Sequence, residues 1–193
     1  GHPYTHRLLA HALAKRPRLA TFRRETPRYA LFALLLKSDD KPTRKATLRT
    51  LSRVQEPNEA LTRLLRKRLR HFDADDQRRA LRAMLRPWAR QSPGRMAALA
   101  NRALHQKAGP PPAIVVEALL ATVGDGRRSS SGRTSPLDAA ARGVTFSALP
   151  AARQQAAINT VVQHAPHHRL ARRWLAQQLL APGNEPLIDR TLN

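Results

Sequence analysis

Two clusters of cations are the strongest chemical signal in the chain. Arg44, Lys45, Arg49 and Arg53 fall on one expected helix, and Arg78, Arg79, Arg82, Arg86 and Arg90 on another. A guanidinium makes planar, two-pronged hydrogen bonds to phosphate or carboxylate, so cations gathered on one side suit an anionic polymer. Each phosphate contact releases counterions, and about six to ten such contacts make binding steeply salt-dependent. Further cations stand in the first connection (Arg16, Arg18, Arg23, Arg24) and at Arg63, Arg66, Lys67, Arg68 and Arg70. The competing reading is a solvated surface, because the run Leu64–Arg70 spreads its charge over more than one side of a helix.

Other chemistry is weaker. His164, His167 and His168 offer nitrogen ligands, but Pro166 interrupts the helix that would align the pair four residues apart. Asp73, Asp75 and Asp76 follow His71, and helix N-capping by Asp73 or Asp75 explains them better than a metal does. No metal and no cofactor is expected. The segment Gly126–Thr134 resembles a phosphate-binding loop but has five residues between its glycines, and Arg133 stands where the lysine belongs. Arg127-Arg128-Ser129-Ser130 fits a basophilic kinase site, although a linker explains it more simply. No Gly-x-Ser-x-Gly elbow occurs, so no catalytic residue is assigned. Glu117, on an apolar helix, is the carboxylate to watch as a buried acid, with pairing to a neighbouring arginine as the alternative. Phe32 and Trp88 follow the apolar spacing of core residues; Tyr4 and Phe22 are freer to stack on a base.

Composition narrows the classes. The chain has 193 residues, 35 Lys+Arg against 13 Asp+Glu, and a net charge of +22. The basic residues are 29 Arg and 6 Lys, a bias that GC-rich coding also produces. Residues 1–107 carry +18 and residues 108–193 only +4, which places any anionic partner against the first half. Cysteine is absent, excluding disulfides, thiolate metal sites and a cysteine nucleophile. With 41% hydrophobic residues the chain can bury a core. Its longest compact apolar run, Ala30–Leu36, is far short of a membrane span. A soluble, cytoplasmic protein is the favoured expectation, and Gly1-His2 reads as a tag-cleavage scar with an upstream region missing.

The elements that must carry these residues are helical. Leu8, Leu9, Ala12 and Leu13 form one stripe, Leu31, Leu34 and Leu35 a second, and Leu61, Leu64, Leu65 and Leu69 a third. Leu81, Met84, Leu85 and Trp88 continue the pattern, and Pro112 opens a helix through Ile114-Val115-Val116. Pro27, Pro42, Pro57, Pro93 and Pro112 are expected in helix first turns. The divisions expected are basic helical hairpins over 3–107, a connecting helix over 108–123, a flexible Gly/Ser/Arg loop over 124–135, and closing helices over 136–193, near 151–163 and 167–181.

Internal repetition sets the expected architecture. Residues 27–37 align with 57–67 with six of eleven positions identical. Residues 44–53 align with 77–86, matching Leu48 to Leu81, Arg49 to Arg82 and Arg53 to Arg86, and residues 154–163 echo the same apolar positions. Each unit reads as two helices joined by a short turn, which bury their faces only when stacked. At the level of broad class, the chain resembles the αα-hairpin repeat proteins, the HEAT-like and tetratricopeptide-like solenoids, over residues 3–107 and more loosely over 112–182, although its 30–33-residue units are shorter than usual for HEAT. The tetratricopeptide Trp-Leu-Gly-Tyr pattern is missing. That resemblance implies an all-α fold, a short right-handed stack of antiparallel hairpins that presents one surface to nucleic acid or protein. Arg49 and Arg82 would then fall in register, as would Arg53 and Arg86. Three functions fit: phosphate-backbone binding of DNA or RNA, a scaffold or effector whose basic face meets an acidic protein, and a HEAT-like repair enzyme using Glu117 or Asp138.

Overall fold

A computed structural model describes residues 27–54, 56–124 and 136–179 of the chain. Nine α-helices occupy these residues: α1 (Pro27–Leu35), α2 (Lys41–Leu51), α3 (Glu59–Arg68), α4 (Ala74–Gln91), α5 (Pro93–His105), α6 (Pro112–Val123), α7 (Pro136–Arg142), α8 (Ala151–His164) and α9 (Arg169–Leu179). A short 3-10 turn, Leu69–His71, extends α3, and no strand occurs among the described residues. The expected stripe at Leu8–Leu13, and all but Gly124 of the expected 124–135 loop, lie outside the described residues.

Start signals at these helices are chemical. Asp40 and Asn58 accept hydrogen bonds from the Thr43 and Leu61 backbone N–H groups at 2.9 and 3.0 Å. Asp73 does the same for Asp76 N–H at 2.9 Å, satisfying one of the four orphan donors of α4. Pro27, Pro93 and Pro112 open α1, α5 and α6, where a missing N–H costs nothing, and Pro42 sits in the first turn of α2. Pro57 is a correction: it lies outside α3, because Asn58 takes the capping position and the helix begins at Glu59.

Foremost the Asp76 N–H, and also the Lys41 ammonium 3.0 Å away, hold the Asp73 carboxyl below its ordinary value. A carboxyl lowered by folding adds stability above its unfolded pKa and loses it as pH falls through the folded one. Asp73→Ala is therefore expected to cost about 1 kcal/mol at neutral pH. Urea unfolding of both proteins from pH 7 downward should show that gap closing below about pH 4. A gap that stays constant into acid would rule out the charged cap.

Two helices form the interior. α4 packs against α2, α3, α5 and α6, and α6 against α4, α5, α7 and α8. Apart from Glu117 and Thr122, α6 is apolar all round, the pattern of a helix covered on several sides. Residues 108–123 thus do more than connect: Ile114, Val115, Val116, Ala118, Leu119 and Leu120 are all buried. Contacts run in succession through α2, α4, α6 and α8, and likewise through α5, α7 and α9. At the far end Trp174 meets Phe146 edge-on, with ring centroids 5.5 Å apart, and its indole N–H donates to the Ala141 carbonyl.

The stripe on α1 differs from its expected register. Phe32, Leu35 and Leu36 are buried, whereas Leu34 is 51% exposed. With an apolar or aromatic residue at every position from Tyr29 to Leu35, apolar spacing alone selects no single face, and packing on α2 makes the choice. The charged interior is small and fully partnered: among the described residues no buried side-chain nitrogen or oxygen lacks a hydrogen bond.

Candidate functional site

Helix α4 carries Arg79, Arg82, Arg86 and Arg90 at intervals of three and four residues, so they line one face of it. α2 runs beside α4 and brings Arg49 to the same side, and the last turn of α6 closes the hollow with Ala121 and Thr122. These residues, with Leu48, Ser52 and Ala89, enclose a cleft of about 600 Å³. Half of the lining is arginine, and the rest is Leu48 and small residues. A smaller hollow of about 200 Å³ adjoins it, lined by Ser52, Arg53, Val54, Arg86, Pro87 and Arg90. Arg49 and Arg82 thus share the larger hollow, and Arg53 and Arg86 share the smaller.

Charge is distributed unevenly between the site and the fold. Among the described residues no carboxylate comes within ion-pair distance of Arg49, Arg82, Arg86 or Arg90. Arg79 lines the cleft but also reaches Asp76 at 3.4 Å. Cations concentrated in one hollow raise the local potential and draw in anions.

The remaining expected site residues go elsewhere. Arg44 donates from Nε to Asp76 at 3.0 Å and from one terminal nitrogen to the Ser38 and Asp39 carbonyls. Arg78 donates to Glu117 at 2.6 Å and to Asp75 at 3.2 Å. Both arginines hold helices together and line neither hollow. Glu117 foremost, and Asp75 with it, raises the Arg78 pKa further above its already high ordinary value, so that guanidinium stays charged. Lys45 is exposed on α2 outside the lining. Thr122, Ala121 and Ser52 were not singled out by sequence. Thr122 and Glu117 are the two polar breaks in α6, and that is the one signal that marked them.

Alternative chemistries fare as follows. Glu117 is held by Arg78 and does not face the cleft, and the Asp138 side chain lies outside the described residues. No three His, Asp or Glu side chains gather among the described residues in a way that could hold a metal ion. The His168 ring nitrogen Nε2 lies 3.1 Å from the Leu120 carbonyl, and Asp73 serves as a cap. No aromatic ring lines either hollow. Phe32 is fully buried. Trp88 is half-buried, donates to Thr62 Oγ1 at 3.1 Å and lies under the Arg95 guanidinium at 5.8 Å, and Arg95 in turn pairs with Glu59. Tyr4, Phe22 and the basic first connection are outside the described residues. No described helix is long and apolar enough to cross a membrane. No protein-family model matches the chain, and no curated protein or solved structure does.

Proposed function

We propose that this chain binds nucleic acid without catalysis, by docking the arginines of the α2–α4–α6 cleft onto the phosphate backbone. One observation carries this reading: four arginines from two helices line a single cleft with no carboxylate in ion-pair reach among the described residues. With 35 Lys+Arg against 13 Asp+Glu many cations must stay unpaired, and what supports the reading is that four of them gather around one cleft while the carboxylates are used on Arg44, Arg78 and Arg79. The absence of an aromatic from the lining favours backbone or shape recognition over base stacking. The same helices support the architecture proposed with it, a short stack of antiparallel hairpins similar to HEAT-like repeats, in which α2, α4, α6 and α8 follow one another.

The test is binding to labelled duplex DNA, single-stranded DNA and RNA at three salt concentrations, with heparin as competitor. Four phosphate contacts give a slope of log K against log salt near −4 on duplex DNA. Binding that holds near physiological salt and prefers one polymer to heparin supports the proposal and names the class. Binding that vanishes by about 150 mM salt and treats heparin alike overturns it. An acidic protein partner then becomes the better reading.

A further inference from the structure

We infer that one copy of this chain holds two nucleic-acid segments at once, the second on a separate basic face carried by α1, α3 and α5. The inference rests on the nucleic-acid reading above, and its test separates the two. Two open hollows of about 690 and 470 Å³ lie on these helices and meet at Arg66 and Gln106. Their cations are Lys37, Arg66, Lys67, Arg68, Arg70 and Arg102. None of these residues lines the α2–α4–α6 cleft, so occupation of one face leaves the other open.

The simplest competing explanation is the helix dipole. Lys37 follows the end of α1, Arg66, Lys67 and Arg68 stand in the last turn of α3, and Arg102 stands in the last turn of α5. A helix C-terminus carries about half a negative charge, so three of them supply about −1.5. Six cations face that, and the dipoles leave most of the charge unanswered. Side chains do not answer it either: among the described residues no carboxylate pairs with any of the six. Glu59, at the opposite end of α3, is turned to Arg95. The second face therefore repeats the chemistry of the first, several uncompensated cations from more than one helix around an open hollow. It also has Tyr29 at its edge, an aromatic that the first cleft lacks. A polyphosphate chain that docks on one face meets the same complementarity on the other.

A bridging assay tests this. One duplex is immobilised on beads and a second, fluorescent duplex is free; the full chain is added at a concentration below that of either. We expect capture of the fluorescent duplex at least tenfold above background. The Arg66→Glu/Arg102→Glu variant should lose that capture while its affinity for a single duplex stays within about threefold. Lys37→Glu/Lys67→Glu should do the same, which guards against one variant failing to fold. Light scattering of the bridged complex should give one chain per two duplexes. Single-duplex binding without bridging overturns the inference and leaves the first reading standing. Absence of binding to duplex DNA, single-stranded DNA and RNA alike overturns both. Bridging that survives both variants, or a complex of two chains and two duplexes, also overturns the inference.

Discussion

Arg82→Glu/Arg86→Glu is expected to weaken duplex binding by about 100-fold at moderate salt, or about 2.7 kcal/mol. Both side chains are exposed on α4, line the cleft and have no carboxylate partner among the described residues, so the exchange breaks no ion pair within the fold. It turns two attractive phosphate contacts into two repulsive ones. Arg82→Ala/Arg86→Ala removes the contacts without the repulsion. It should lower the magnitude of the salt slope by about 2, and weaken all sequences alike, because phosphate contacts carry no base information. The control is Arg63→Glu/Lys107→Glu, which removes the same formal charge from exposed positions outside both basic faces. Comparable loss in the control, measured by fluorescence anisotropy, would mean that total charge and not the cleft governs affinity.

The largest stability effect should come from a residue that never meets solvent. Asp76 is fully buried, yet it is a carboxylate, and it accepts from Arg44 Nε at 3.0 Å and from Arg79 at 3.4 Å. The Arg44 side chain is itself only 17% exposed. Taking the carboxylate away removes that guanidinium's closest ionic partner and leaves it the Ser38 and Asp39 carbonyls and Asp73 at 4.0 Å. Asp76→Ala is expected to cost about 3–5 kcal/mol. At about 2–4 °C per kcal/mol for a chain of this size, the thermal midpoint should fall by at least about 6 °C. A cycle with Arg44→Ala tests the cause: coupling of about 1.5 kcal/mol or more is expected, and additive losses would show that the two groups act independently. Asp76→Leu/Arg44→Met should recover part of the stability, since an apolar pair avoids the desolvation of two ions.

These two expectations divide the arginines into two populations that look the same in sequence. Arg44 and Arg49 lie five residues apart on α2, and Arg78 and Arg82 lie four apart on α4. One of each pair ties helices together, and the other faces the cleft. The internal partners are distant in sequence, 32 residues for Arg44–Asp76 and 39 for Arg78–Glu117. No local pattern encodes such a pairing, because it depends on the rotation of each helix about its own axis once packed.

What the sequence determined by itself is local. The spacing of leucines at three and four residues, the Asp73 cap, and prolines at helix starts specify α2 through α6 and place closing helices near α8 and α9, because helix formation responds to neighbours within one or two turns. The alignment that matched Arg49 to Arg82 and Arg53 to Arg86 also singled out residues that line common hollows. The tertiary structure alone decided which arginines are neutralised, that Leu34 is exposed while Phe32 is buried, and that α6 lies between α4 and α8. It also alone brought Lys37 and Arg102 beside the Arg66–Arg70 run, which the sequence does display. The reason in each case is that a helix rich in leucine and arginine can bury more than one face, and only the competition among its neighbours selects the one that stays in water.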